Sequence, residues 1–596
     1  MRQGHGGSVV SRTDTGKPFV MDGDDWPSQS PSPPNKGSRE AMKTASVTVS
    51  VAFAAISLSG AVSGASAMPA CTVDALNGLH VAGITVTAAT PVGATATAPA
   101  LCDVRGTVVT HGEGVRDGLA TIAMQLPESW RQRFFSMGVG GNAGRLMPAV
   151  NVTDQTSAPG KGYVTIVTDT GHTGNGTDAN WVLGPDGKRD TVKVADFFYR
   201  AEHNVTVAGK QFAQSYYSEP VKHAYFDGCS TGGRMAMMEA ERYPTDYDGI
   251  IAGDPNMDSH GGLLRLVVMQ RAVLTSPAAY LPQSLLVTID KKINARCDAI
   301  DGATDGLVQN PAACPVRAED LICHAGETAD CLTPEQAKVL HAYSTPLHDR
   351  RGHMLFPNWA LTNLSGPRGI GYWTTGDTAP DVTQAESPWG NDPAAPPRGW
   401  IFARQSLTFW LGLGPNQKMA ALDVDPVTNT VGDKLVSMVD NAFGPGETKN
   451  PAKLLPFIRR GGKMIIYHGA SDPAIPASRS VQFWHELAAT LHGSDKAAAS
   501  VRLFLVPGMQ HCSGGIGPDR FDTLSAIEAW AEHEKAPDSI AASTKPDTAA
   551  PHSLPLCPFP KQARYSGRGE LTDAANWSCA PPAPETASEK HVGRAG

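Results

Sequence analysis

Short apolar runs closed by glycine or a polar turn recur along the chain, and the clearest of them is followed at once by a helical pattern. His223-Ala224-Tyr225-Phe226-Asp227 is apolar and aromatic and predicts a buried strand. It runs into Gly228-Cys229-Ser230-Thr231-Gly232-Gly233, and Arg234 to Glu241 is helix-forming throughout. Arg133–Met137, Lys463–Gly469 and Val501–Val506 predict three further strands, each ending in a loop: Gly138–Gly144, Ala470–Pro473 and Pro507–Cys512. Near the start, Thr44 to Val62 is mildly apolar but broken by Ser and Thr. It follows Met42-Lys43 and precedes Ala65-Ser66-Ala67, which is the pattern of a signal peptide (residues 42–67) with its cleavage site. No other segment offers 18 apolar residues, so the mature product is expected to be exported, soluble and free of the membrane. Residues 1–41, with the low-complexity run Pro27–Pro34, are expected to be a mis-called start or a disordered leader, and residues 580–596 a frayed tail.

Composition narrows the class. At roughly 100 to 200 residues per domain, 596 residues allow three or four domains or one large one with insertions. Hydrophobic residues at 41% exclude wholesale disorder, and 50 basic against 58 acidic residues, without long runs of one sign, exclude a nucleic-acid footprint. Charged residues reach only 18% beside 61 Gly and 46 Pro, which favours a loop-rich catalytic or extracellular protein over a coiled coil or helical array. All ten cysteines lie beyond the expected cleavage site. Their even number suits an oxidising compartment, and the absence of any C-x-x-C sets a zinc site aside.

The strand, G-x-S-x-G, helix sequence is the form chemistry gives to an exposed nucleophile. A sharp turn lifts Ser230 above the sheet, small neighbours keep clear of it, and the new helix points backbone N–H groups at it. A hydroxyl needs a base and the base an orienting carboxylate. In α/β-hydrolases these follow in the order Ser, acid, His, each on a loop after a strand. Asp472 and His511 occupy such loops; otherwise Asp472-Pro473 is a plain turn and His511 one of 18 histidines. Cys229 precedes Ser230 and Cys512 follows His511. If serine and imidazole share a proton, their backbones come within disulfide range, so a Cys229–Cys512 bridge would fasten the two loops together. Oxyanion donors are expected from the N–H of Thr231 and from the Gly138–Gly144 loop, with Gly141 favoured and Gly140 next.

Taken together, Cys229-Ser230, Asp472, His511-Cys512, the Gly138–Gly144 loop, Thr168-Asp169-Thr170-Gly171-His172 and the run Cys229 to Pro255 resemble the tannase and feruloyl esterase family of secreted serine esterases. That family also contains a mono(2-hydroxyethyl) terephthalate hydrolase. The resemblance spans about Cys71 to Cys579 and implies an α/β-hydrolase fold in two parts, residues 68–260 and 455–579, split by a lid domain at 261–454. It also implies a structural calcium ion held by Asp298, Asp301 and Asp305 with the carbonyls of Ala303 and Leu307. Three carboxylates so close repel one another unless a hard cation sits among them, although the spacing is not that of an EF-hand. The same likeness pairs Cys71 with Cys102, Cys297 with Cys314, Cys323 with Cys331, and Cys557 with Cys579, and it implies no organic cofactor.

The expected partner is a small aromatic ester. Tyr372, Trp373, Trp389, Trp400, Phe402, Phe409 and Trp410 fall in the proposed lid and suit an aromatic acyl group, or else simply fill its core. No arginine can be assigned from sequence to a substrate carboxylate, so galloyl, feruloyl and terephthalate esters stay undivided, and the oligomeric state is left open. Two other functions compete: an exported peptidase of the same fold, and a calcium-dependent binding protein with an inactive hydrolase core.

Overall fold

A nine-stranded sheet changes character across its width, and the burial of its strands records the change. The computed structural model describes residues 68–582 apart from 97, 328 and 546–550. The leader and signal peptide expected at 1–67, and the tail beyond 582, lie outside the described residues. Strands β1 (Ile84–Val92), β2 (Leu101–Thr110) and β3 (Gly118–Pro127) form an antiparallel edge, and β2 alternates between covered and open positions. After β3 come β5 (Tyr163–Thr168), β4 (Arg133–Met137), β6 (His223–Cys229), β7 (Gly249–Gly253), β8 (Lys463–Gly469) and β9 (Val501–Val506), in that spatial order and mutually parallel. These strands are buried on both faces, as the unbroken apolar run of β6 requires.

The two-residue period sorts their side chains. Phe134, Phe226, Ile250 and Ile466 join the larger core, while Phe135, Tyr225, Ile251 and Ile465 face a second core with Trp530. Trp530 belongs to helix α8 (Thr523–His533), whose Glu532 receives Arg133 at the start of β4 at 2.7 Å and the Tyr225 hydroxyl at 2.7 Å. On the opposite face, α1 (Ala201–Tyr217) and α2 (Thr231–Arg242) pack against the sheet.

Neighbouring strands β7 and β8 are hydrogen-bonded in register, yet residues 254–462 intervene between them. In that insertion α3 (Ser259–Val273) packs against α5 (Pro334–Ser344), α6 (Arg398–Gln405) and α7 (Asp433–Phe443), and α4 (Gln283–Cys297) leads into the Asp-rich loop. The insertion shares its core with the sheet: Leu263, Trp400 and Trp410 belong to the same cluster as Phe134 and Phe226. Five disulfides join Cys71–Cys102, Cys229–Cys512, Cys297–Cys314, Cys323–Cys331 and Cys557–Cys579. Among the described residues no helix is long and apolar enough to cross a membrane.

Because β4, β6, β7, β8 and β9 run parallel, their carboxyl ends lie along one edge, and the loops that follow them meet there. This is where open α/β sheets place their sites.

Candidate active site

Ser230 stands at the end of β6 with φ 65° and ψ −121°, a backbone conformation that costs a non-glycine residue about 1–3 kcal/mol. Tight packing of glycine on glycine holds the turn. A Cβ on Gly232 would sit 2.6 Å from the Gly138 carbonyl oxygen, so the loop after β4 rests directly on the turn after β6. The turn leaves the Ser230 hydroxyl half-buried, facing a cavity of about 560 Å³ and engaged in no hydrogen bond.

His511 lines the same cavity from the loop after β9. Its Nδ1–H donates to Asp472 Oδ2 at 2.7 Å, and Asp472 Oδ1 accepts the N–H groups of Ala474 and Ile475 at 2.7 and 3.1 Å. Burial raises the Asp472 carboxyl, but the imidazoles of His511 and His468 outweigh it and hold the group well below the usual carboxylate range. Burial lowers the His511 pKa, and the Asp472 carboxylate overcomes that and lifts it above the ordinary value. The Cys229–Cys512 bridge, with Cα atoms 5.9 Å apart, joins the residue before Ser230 to the residue after His511.

A second buried carboxylate ties these loops together, and no sequence signal singled it out. Asp254, at the end of β7, accepts the N–H of Gly469 at 2.7 Å and that of Cys512 at 3.1 Å. It therefore grips both the strand that leads to Asp472 and the loop that carries His511, and burial raises its pKa to about 7.

The loop expected to bind an oxyanion is clamped by the segment after β5. Asn142 N–H donates to the Gly176 carbonyl at 2.7 Å and Gly144 N–H to the Asp169 carbonyl at 3.2 Å. Burial lowers the pKa of His172 to about 4, so the ring is neutral; its Nε2–H donates to the Asn142 carbonyl at 2.8 Å, and it stacks on Trp181 at 3.7 Å. The N–H groups of Gly140, Gly141 and Thr231 donate to no backbone carbonyl, and all three residues line the cavity beside Ser230. Gly141 takes φ +66°, and a Cβ there would meet the Gly176 oxygen at 2.2 Å.

The insertion supplies the facing wall. Trp373 presents its ring to His511 at 5.0 Å, nearly perpendicular, and stacks on Phe402 at 6.4 Å; Tyr372 is beside it. Of the seven aromatic residues singled out in the lid, these three line the cavity. Trp389, Trp400 and Trp410 are core, and Phe409 packs against the core. Phe197, Phe198, Phe356 and Phe443 line the cavity without having been anticipated, since nothing in the sequence distinguishes them from core. Sequence reading also placed no arginine near the substrate. The cavity wall holds four, Arg145, Arg234, Arg368 and Arg398, and no acidic residue.

In the Asp-rich loop, Asp298, Asp301 and Asp305 each accept backbone N–H groups from residues 303–309. Among the described residues no basic side chain forms an ion pair with them. Burial first, then neighbouring carboxylates, raise Asp301 to about 7 and Asp305 to about 6. That mutual penalty is what a hard cation relieves, so the donor chemistry fits calcium. The three carboxylates are not gathered into one compact cluster of ligand atoms in this structure.

A mostly parallel sheet carrying a serine on a strained strand-to-helix turn, with a histidine–aspartate pair on loops further along the same edge, is the architecture of an α/β-hydrolase. More narrowly, the chain belongs to the family described as tannase and feruloyl esterase, which matches residues 102–580, and it is an ester hydrolase of that family. It is 33% identical over 541 residues to a mono(2-hydroxyethyl) terephthalate hydrolase of Piscinibacter sakaiensis, covering 82% of this chain and 87% of that one. It is 28% identical over 477 residues to feruloyl esterase B of Aspergillus niger, covering 76% and 82%. The crystal structure of feruloyl esterase B from Aspergillus oryzae superposes with a TM-score of 0.67 at 25% identity, over 84% of this chain and 97% of that one.

Proposed function

We propose that the chain is an exported serine esterase that cleaves aromatic carboxylic esters through an acyl-enzyme. Ser230 Oγ attacks the ester carbonyl while His511 Nε2 takes its proton. Asp472 keeps the proton on Nδ1 and stabilises the imidazolium that forms. The N–H groups of Thr231 and Gly141 receive the oxyanion. Collapse of the tetrahedral intermediate breaks the ester C–O bond, and His511 returns its proton to the departing alcohol. Water, deprotonated by His511, then releases the acid and restores Ser230. The observation that carries this reading is the 2.7 Å His511–Asp472 bond on a loop bolted by disulfide to the nucleophile turn. Trp373, Phe402 and Tyr372 around that opening support an aromatic substrate, as do relatives whose names specify feruloyl and terephthalate esters. Five disulfides in the described residues support export.

Hydrolysis of methyl gallate, methyl ferulate and a terephthalate monoester, measured side by side, tests the proposal. Ser230→Ala is expected to retain the fold by circular dichroism and to lower kcat by about 10⁴–10⁶; full residual activity would refute the assignment. Calcium at Asp298, Asp301 and Asp305, with the carbonyls of Ala303 and Leu307, is proposed as a structural ion that neutralises the loop beside the Cys297–Cys314 bridge. Chelation is expected to lower Tm and added calcium to restore it. An Asp301→Asn, Asp305→Asn double variant should lose the response, and a Tm indifferent to chelator in the parent removes the ion.

A further inference from the structure

Behind the His511–Asp472 pair lies a second imidazole that the acyl-transfer steps do not use. His468, near the end of β8, is wholly buried. Its Nε2 lies 3.5 Å from Asp472 Oδ2, 3.6 Å from Asp254 Oδ1 and 3.0 Å from the Ile475 carbonyl oxygen. None of these oxygens donates while the acids are ionised, so Nε2 carries a hydrogen whatever the charge of the ring. Nδ1 faces the Ser480 hydroxyl at 2.8 Å, on the helix Ala477–Thr490. A hydroxyl donates to a neutral ring and accepts from a charged one, so His468 can gain a proton without losing a partner. Asp254 uses one oxygen for Gly469 N–H and the other for Cys512 N–H, which suits the carboxylate better than the acid. The surrounding elements add no other counter-charge. Arg479, next to Ser480, is turned to Asp258 and Glu486. Tyr343 on α5, near Asp472, and Tyr467 on β8, near Asp227 and Asp254, are kept neutral by burial.

Two carboxylates taken out of water need compensating charge. Among the described residues, the ion pairs of Asp254 and Asp472 are with these two imidazoles alone. A base waiting for the serine proton is neutral, so His468 is the group left to carry the positive charge. One negative charge then stays uncompensated at rest, and the proton that His511 takes from Ser230 cancels it. With His468 neutral, two buried negative charges would hold that proton too tightly for easy return to the leaving alcohol. We propose that His468 and Asp254 form a second imidazole–carboxylate pair that fixes Asp472 from behind and sets how readily His511 takes and gives up its proton. Both are positioning residues, since neither touches the substrate. Burial lowers the His468 pKa, and Asp254 and Asp472 overcome it and raise it above the ordinary value. At His511, where burial and Asp472 act most strongly, Asp254 pulls up and His468 pulls down. This deepens the esterase reading and rests on it.

A double-variant cycle on the full chain tests the pair. His468→Gln removes the positive charge and keeps an N–H for the Ile475 carbonyl; Asp254→Asn removes the negative one. The acid limb of kcat/KM should move to higher pH in His468→Gln and to lower pH in Asp254→Asn, each by about one pH unit, and return toward the parent in the double variant. A purely structural role would not drive the limb in opposite directions. A limb that moves in neither single variant, or the same way in both, overturns the proposal. Thermal unfolding reads the same cycle without substrate. Each single variant strands a buried charge, so the double variant should lose less Tm than either single one, and additive losses overturn the pairing. Should a variant fail to fold, nitrogen NMR of the histidine-labelled parent decides, with the His468 ring marked by the shift that Ser480→Ala causes. Both its nitrogens should be protonated at about pH 6.5, where an exposed histidine is half charged, and a neutral ring overturns the proposal. If the parent cleaves no ester, the esterase reading has failed instead, and the melting cycle and the NMR still judge the pair.

Discussion

The two walls of the cavity are built by opposite rules. On the sheet side, the wall is built from short turns at the ends of parallel strands of one sheet: Ser230 after β6, Gly141 after β4, His511 after β9. Their positions follow from chain connectivity and from backbone contacts such as Gly138 on Gly232, so a side chain can hardly drift without breaking the sheet edge. On the insertion side, the wall is made of side chains alone. Trp373 rides a single wide helical turn (Gly371–Thr375), Phe402 sits on the eight-residue α6, and both are placed by packing against one another and against α3. Under the proposed mechanism this is a division of labour: the sheet side would fix the reacting atoms, and the insertion what is allowed to approach them. Substitutions on the first wall should therefore act on kcat, and on the second wall on KM.

The largest effect short of removing Ser230 is expected from Asp472→Asn. Losing the carboxylate unlocks the Nδ1–H tautomer of His511, and kcat should fall by about 10³–10⁴. The pH profile carries a second signature. The base must be neutral, and Asp472 raises the His511 pKa, so parental kcat/KM should decline on the acid side with a midpoint above the ordinary histidine value of about 6.5. In the variant that limb should move to lower pH, because the interaction that lifts the imidazole is gone. An unmoved limb would mean that another group titrates there.

Next in size is the double replacement Cys229→Ala, Cys512→Ala. The bridge spans 283 residues of chain, so its loss should cost roughly 2–4 kcal/mol of stability. Asp254 still links Cys512 N–H to the strand ends, which should keep the loops near one another. Even so, a displacement of about 1 Å between Ser230 and His511 can lower the rate about 100-fold. The expected readout is a lower kcat with KM nearly constant. Unchanged kinetics at a temperature well below the new Tm would show that Asp254 and the sheet alone align the base.

This contrast also explains what the sequence made legible. The nucleophile turn, the acid loop and the base loop are each local: strand, glycine or proline, reactive residue. A reader of short windows can find them, and the cysteines flanking Ser230 and His511 correlate two windows that lie far apart. Asp254 follows an equally clear strand, but an Asp-Pro step after a glycine carries the same pattern as any turn; only its two long-range N–H partners give it a role. The aromatic wall was half legible for the same reason. Tyr372, Trp373 and Phe402 share their composition with Trp389, Trp400 and Trp410, which are core, and the two groups separate only when the insertion folds back over the sheet.

The smallest effect is the sharpest test of the division between walls. Trp373 touches the proposed base without bonding to it: its ring stands nearly perpendicular to His511 at 5.0 Å and stacks on Phe402 on its other side. If it acts as a substrate platform, Trp373→Ala should raise KM for aromatic esters by roughly tenfold, the equivalent of about 1.5 kcal/mol for one aromatic pair. The same variant should leave kcat within about threefold, because Asp472, Asp254 and the disulfide still hold His511 from behind. Trp373→Phe should recover most of the loss, since a flat apolar face is what the substrate ring needs. A large fall in kcat with KM unchanged would reverse the assignment: Trp373 would then be setting the angle of the imidazole, and the insertion would share in positioning the reacting atoms.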